Sequence, residues 1–235
     1  MFKGLLYLLF FVPATLGFSS LAVLGTLFDR EGGFAHLCAR LWGGFGLGLG
    51  GVGLRVSGAE LVPAGEPVIF MGNHQGNFDI LALSRAIPRR FSWLAKEELF
   101  RVPLFGAAML RAGYIPVDRG DGRKALRSLD AAAKRIRAGA SVVIFPEGTR
   151  TADGTLLPFK RGGFILAERS GVPIVPFTIN GSMEINPRNT IHLRRGTVSV
   201  SFGAPIPTCG EGALKGAPLM ERVRAAIEAG LESRQ

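Results

Sequence analysis

Cysteine is scarce in this sequence: Cys38 and Cys209 are the two among 235 residues. They form no C-x-x-C pair and lie far apart in the chain, so no disulfide framework is indicated and a reducing compartment is expected. Histidine is nearly as rare. Its three residues (His36, His74, His192) have no thiol cluster beside them, which argues against a zinc site, and no metal is expected. Tyrosine and tryptophan number two each and no nucleic-acid recognition motif is present, so no nucleic acid partner is expected. Acidic residues are the minority charge, 18 against 28 basic. The 33 glycines follow no triplet period, which excludes a collagen-like chain.

What is present is an unusual pairing. The chain is 47% hydrophobic yet carries a net charge of +10. A soluble domain this apolar is rarely so basic, and a nucleic-acid binder this basic is rarely so apolar. An anionic membrane surface suits both halves, because lipid takes the apolar surface and headgroups take the charge. Of the basic residues 22 are arginine, whose planar fork fits phosphate oxygens.

The apolar excess gathers at the N-terminus. Gly4 to Phe28 are 25 residues without a charge. As a helix they would run about 37 Å, enough to cross a hydrocarbon core of about 30 Å, with Pro13 as a kink. A signal peptide is the competing reading, but the leading segment holds only Lys3 and no A-x-A site follows. After the polar break Asp29-Arg30-Glu31, a second apolar stretch covers Leu41–Leu54 with seven glycines in 14 residues. Gly44/Gly48 and Gly46/Gly50 are small residues four apart, a spacing that lets helices approach closely. Residues 1–57 are therefore expected to form a two-helix membrane-binding hairpin in one leaflet, and a spanning helix followed by a surface helix is the rival. The hairpin keeps Lys3, Arg55 and the basic remainder on one side, as the positive-inside rule prefers.

Residues 58–235 alternate short apolar runs with amphipathic ones. Strands are expected at Pro67–Met71, Phe91–Ala95, Gly113–Val117, Ser141–Phe145, Val172–Ile179 and Thr197–Phe202. Helices are expected at Phe78–Ala86, Pro103–Arg111, Gly122–Ala138, Arg161–Ser170 and Pro218–Leu231. Such alternation predicts an α/β domain with a mostly parallel or mixed sheet flanked by helices.

The run PVIFMGNHQGNFDI carries the chemistry. An apolar strand ends at Met71, and His74 follows it. Asp79 lies five residues on, at the start of an apolar helix. Within one helix five residues turn through about 500°, so the two side chains meet only if His74 sits in the loop ahead of it. Asn77 is the expected N-cap. The Asp79 carboxylate would then hold one imidazole nitrogen and leave the other as a base. Three further blocks follow: AGYIPVDR at 112–119, FPEGTRT at 145–151 and VPIVPFTI at 172–179. Polar residues just past strand ends sit where open α/β sheets bind ligands, and Arg119 and Arg150 are placed to grip a phosphate.

In their order and spacing, NHQGNFD, GYIPVDR, FPEGTRT and VPIVPFTI resemble the four blocks of the glycerolipid acyltransferase family, in particular its bacterial 1-acylglycerol-3-phosphate acyltransferases. The likeness covers about residues 60–205. The stretch AKEELFRVPLFGAAMLRAG, with its Lys before Glu-Leu, resembles the family as well. FPEGTRT ends in Thr where the family often has Ser, which keeps the hydroxyl. The resemblance implies acyl transfer from acyl-CoA or acyl carrier protein, as co-substrate rather than cofactor, to the free 2-hydroxyl of lysophosphatidic acid. It implies His74 as general base and Asp79 as its orienting partner. It implies that Arg119, Glu147, Gly148, Thr149 and Arg150 bind the glycerol phosphate, with Lys96 as a further ligand. Val172, Pro173, Ile174 and Pro176 are implied to shape the substrate cleft. There is no G-x-S-x-G elbow and neither cysteine adjoins the histidine motif, so direct attack on the thioester is the economical scheme.

Charge agrees with this scheme. Residues 85–137 hold 13 basic and 5 acidic residues, and their net +8 equals that of the whole stretch 58–235. Such a patch suits anionic lipid, a phosphate substrate and acidic donors. The expected place is the cytosolic face of the cytoplasmic membrane. Alternatives are another lysolipid acceptor, such as a lyso-ornithine lipid, or a non-catalytic adaptor that binds anionic lipid.

Overall fold

The structure is a computed structural model that describes residues 2–29, 31–117, 122–187 and 189–232, with backbone alone for 122–127. Seven strands form one mixed sheet in the order β1-β7-β6-β2-β5-β3-β4. These are β1 (Val52–Ser57), β2 (Ile69–Gly72), β3 (Ser92–Lys96), β4 (Ile115–Val117), β5 (Val142–Ile144), β6 (Ile174–Asn180) and β7 (Gly196–Phe202). Strands β6, β2, β5, β3 and β4 run parallel, whereas β7 is antiparallel to β6 and β1 is parallel to β7.

Eight helices accompany the sheet among the described residues: α1 (Phe2–Gly25), α2 (Gly33–Gly50), α3 (Phe78–Ala86), α4 (Phe105–Arg111), α5 (Gly122–Arg137), α6 (Gly162–Ser170), α7 (Ser182–Ile185) and α8 (Gly216–Glu228). Residues along β2 alternate between two cores. Val68 and Phe70 face α2, α3 and α4, while Ile69 and Met71 face α5, α6 and α8. A strand buried on both faces needs apolar residues at every position, which is why the run PVIFM shows no alternation.

The N-terminal pair is a hairpin. Asp29 caps the second helix: its carboxylate accepts the N–H of Phe34 at 2.6 Å and that of Glu31 at 2.9 Å. These bonds, the Phe34 bond foremost, hold its pKa below the ordinary carboxylate value. Trp42 Nε1 donates to Thr15 Oγ1 at 2.9 Å across the pair. Close approach is made by Gly46, where a Cβ would stand 2.6 Å from the Phe11 ring and 2.9 Å from Leu81. Gly50 abuts Phe78 on the same face, whereas Gly48 meets nothing. Of the two expected glycine pairs, Gly46/Gly50 is thus the one used for packing.

Two features differ from the sequence expectation. The second helix begins at Gly33, not Leu41, because its first two turns mix polar residues with the apolar ones. It ends at Gly50, and Val52–Ser57 leaves the hairpin to become the edge strand β1 on β7. The hairpin also packs along its length on the α/β layer, with Gly43 and Gly46 against α3, Gly32 against Arg111 and Gly4 against Ile191.

Among the described residues α1 is the one helix long and apolar enough to cross a membrane. It is apolar all round because it has two apolar tasks. Tyr7, Phe11, Phe18 and Ala22 form a stripe that lines an internal cavity. Leu5, Leu9, Val12, Leu16 and Leu24 are exposed on the outside.

Candidate active site

His74 lies in the loop between β2 and α3, past the carboxyl end of a central strand. The loop can turn there because Gly72 has no side chain: a Cβ would stand 2.2 Å from the Phe177 ring. Asn73 then ties the loop to β6, its Nδ2 donating to the Ile179 carbonyl and its Oδ1 accepting the Ile179 N–H, both at 2.7 Å.

The His74 Nδ1 is 2.6 Å from Asp79 Oδ2. The same oxygen accepts the N–H groups of Gln75 at 2.7 Å and Gly76 at 2.9 Å. Asp79 is fully buried and sits in the first turn of α3, where free N–H groups and the helix dipole stabilise a carboxylate. It therefore ties the loop ahead of the helix and holds the imidazole at once. Asn77, the expected cap, makes no capping bond. Its side chain instead accepts from Arg150 Nη1 at 2.7 Å and donates to Asn186 Oδ1 at 3.0 Å. With Nδ1 engaged as donor to the carboxylate, Nε2 is the basic nitrogen. The ring is 17% exposed and stacks on Phe145 at 4.0 Å.

Glu147 is buried. Its Oε1 accepts the His74 N–H at 2.8 Å and its Oε2 accepts the Leu157 N–H at 2.9 Å. The Thr151 N–H donates to the His74 carbonyl at 2.9 Å. The histidine loop is thus clamped to the FPEGTRT loop on both sides of the residue. Burial pushes the Glu147 pKa up, against the two N–H bonds that lower it.

A cavity of about 920 Å³ opens beside the imidazole, between the hairpin and the α/β core. Its mouth carries His74, Asn77, Lys96, Gly148, Thr149 and Arg150. Its interior is apolar, with Phe11, Phe18 and Trp42 from the hairpin facing Leu81, Trp93 and Met109. Lys96 is held by Glu98 at 3.0 Å.

The structure thus gathers His74, Lys96, Gly148, Thr149 and Arg150 around one opening, with Asp79 buried behind His74. Glu147 stands behind it and is not a wall of the cavity. Arg119 lies outside the described residues. The fourth block is displaced from its expected role, because Val172, Pro173, Ile174 and Pro176 do not line the cavity. Ile174 points into the opposite core, against α5, α6 and α8. The block acts through Phe177, which packs against Gly72 and lies edge-on to Phe145 at 6.0 Å. Sequence reasoning missed Asn73, Phe145 and Asn186. Asn73 and Phe145 stand inside the motif blocks, but their partners, Ile179 for the one and His74 and Phe177 for the other, lie in other blocks.

Residues 53–180 match the family model described as Acyltransferase, and the chain belongs to that family. It is 36% identical over 183 residues to a chloroplastic 1-acyl-sn-glycerol-3-phosphate acyltransferase of Brassica napus, covering 77% of this chain and 53% of the plant protein. It is 34% identical over 161 residues to the human 1-acyl-sn-glycerol-3-phosphate acyltransferase alpha, covering 68% of this chain and 57% of the human one. The chain spans about half the length of the curated relatives it matches. Its fold is that of PlsC, the 1-acyl-sn-glycerophosphate acyltransferase of Thermotoga maritima, at TM-score 0.83 and 23% identity, covering 96% of this chain and 92% of that one.

Proposed function

We propose that the protein transfers a fatty acyl group from a thioester, acyl-CoA or acyl carrier protein, to the 2-hydroxyl of lysophosphatidic acid, giving phosphatidic acid. The observation that carries this reading is the Asp79-held imidazole of His74 at the mouth of a lipid-sized apolar cavity. The names of the sequence relatives support the choice of acceptor.

In this reading His74 Nε2 takes the proton of the acceptor hydroxyl as its oxygen attacks the thioester carbonyl carbon. The tetrahedral adduct collapses, the C–S bond breaks, and the thiolate receives the proton back from His74. A positioned base of this kind contributes about 10²–10⁴-fold. Asp79 fixes the tautomer and stabilises the imidazolium. Arg150, aimed by Asn77, and Lys96 grip the acceptor phosphate, with Thr149 and the Gly148 backbone beside them. Arg119 is assigned to the same phosphate on the resemblance of GYIPVDR. The acyl chain fills the cavity under α1.

The reading places the protein on one leaflet of the cytoplasmic membrane, facing the cytosol where thioester donors are made. The hairpin lies on the α/β layer along its length, so a spanning orientation would drag that layer into the hydrocarbon. The test is thiol release from acyl-CoA with lysophosphatidic acid, repeated with a panel of lysolipid acceptors at fixed donor. His74→Ala is expected to abolish release above background. Full activity in that variant would refute the mechanism.

A further inference from the structure

Helices α1 and α4 together roof the cavity. The first gives it Phe11, Phe18 and Ala22, the second Phe105, Ala108 and Met109. The two helices also pack on each other. Neighbouring helices that turn their inner faces to one cavity turn their outer faces the same way. The outer face of α1 is apolar, and so is that of the α4 region. Val102 is 45% exposed and Leu110 55%, with Leu104 exposed beside them.

The backbone is built to present this ridge. Leu104 has φ +63° and ψ −51°, and Phe105 N–H donates to the Pro103 carbonyl at 2.7 Å. That is a γ-turn, which a side-chain-bearing residue holds only with strain. Gly106 makes room for it, since a Cβ there would stand 2.1 Å from the Phe100 carbonyl oxygen. The ridge is rimmed by exposed Lys96, Arg101 and Arg111. Its two acids, Glu98 and Glu97, are ion-paired with Lys96 at 3.0 Å and Arg101 at 2.9 Å. These pairs neutralise four of the five charges, so the ridge meets an anionic surface with a net charge of +1, carried by Arg111.

We propose that residues 97–111 form a second lipid-contacting element, seated in the same leaflet as α1. Val102, Leu104 and Leu110 enter the headgroup–acyl boundary, and Arg101 and Arg111 stay at phosphate depth. The inference rests on the membrane reading above and adds a surface outside the N-terminal hairpin. Its consequence is mechanical. A single helix lying in a leaflet is free to roll about its axis; a second contact alongside stops the roll and holds the cavity mouth at one height.

The test uses the full chain in vesicles of phosphatidylcholine and phosphatidylglycerol. An environment-sensitive nitrobenzoxadiazole label is placed on Val102→Cys or Leu9→Cys, each in a Cys209→Ser background, or on native Cys209, which lies beside α6 on the other face of the sheet. The labels at 102 and 9 are expected to emit in the blue-shifted range and to be quenched by chain-labelled lipid, with the label at 209 in water. A water-like label at 102 beside a lipid-like one at 9 overturns the inference and spares the anchor. Water-like labels at both overturn both. As a second readout, Val102→Asp with Leu110→Asp should lower vesicle partition about tenfold or more. Thiol release with a water-soluble short-chain acceptor should stay unchanged. Unaltered partition also overturns the inference.

Discussion

Glu147 holds His74 by its backbone: the carboxylate accepts the His74 N–H at 2.8 Å while its other oxygen takes the Leu157 N–H at 2.9 Å. Two loops from neighbouring strands, β2 and β5, are thereby locked at the point where the imidazole enters the cavity. Glu147→Gln keeps the shape but turns an NH₂ toward one of those N–H groups. The expected cost is about 1–3 kcal/mol of stability. In activity, kcat should fall while the KM for lysophosphatidic acid holds. A rise in KM with kcat unchanged would return Glu147 to direct acceptor binding.

Asp79→Asn removes the charge that fixes the imidazole. The expected loss in kcat is about 10³–10⁴-fold with KM changed little, measured by thiol release under saturating donor. Because Asp79 also accepts the Gln75 and Gly76 N–H groups and so ties their loop to α3, the variant's melting temperature should fall as well. A variant that melts lower but keeps its turnover would reduce Asp79 to holding that loop.

His36 predicts an acid-sensitive stability. It is buried on α2, edge-on to Phe91 at 5.1 Å. Burial, with Arg40 and Arg90 nearby, pushes its pKa from 6.5 down to about 4. The folded state keeps it neutral, whereas the unfolded chain binds a proton below about 6.5. Its contribution is complete above pH 6.5 and is lost as pH falls toward 4, by on the order of 2 kcal/mol. His36→Leu should flatten the fall in melting temperature between pH 7.5 and 4.5. Equal slopes in the two proteins would clear His36 of that part.

The cavity wall beside the α1–α2 turn predicts donor choice. Ala112 lines the cavity and lies against that turn at Gly32. Ala112→Phe should shift preference toward shorter acyl donors in a competition of mixed chain lengths, at about 1–3 kcal/mol in stability. An unshifted preference would move the chain out of this part of the cavity.

Much of this architecture was legible in the residues. The α3 boundaries, Phe78–Ala86, followed from the apolar run after Asn77, and the His74–Asp79 pairing followed from turn geometry. Strand β1 was not legible, because Val52-Gly-Leu-Arg-Val continues a glycine-rich apolar stretch and only its partner β7, more than 140 residues on, makes it a strand. Glu147 entered as a ligand through the resemblance of FPEGTRT, and its burial was not legible because burial is set by what folds over it. The place of the fourth block, whose role came from the resemblance, was not legible for a related reason: a strand's period assigns residues to two faces, and which face meets the cavity is decided by the helices that cover it.

The double-faced character of α1 carries a consequence for engineering. Its inner stripe, Tyr7 to Ala22, is cavity wall, and its outer residues are surface. If α1 is the membrane anchor of the proposed reading, a foreign membrane helix of equal length and greasiness would restore attachment and leave the cavity without one of its walls. In that reading tether and cavity wall are one part, and an anchor swap, harmless to a protein whose anchor is a separate module, is an amputation.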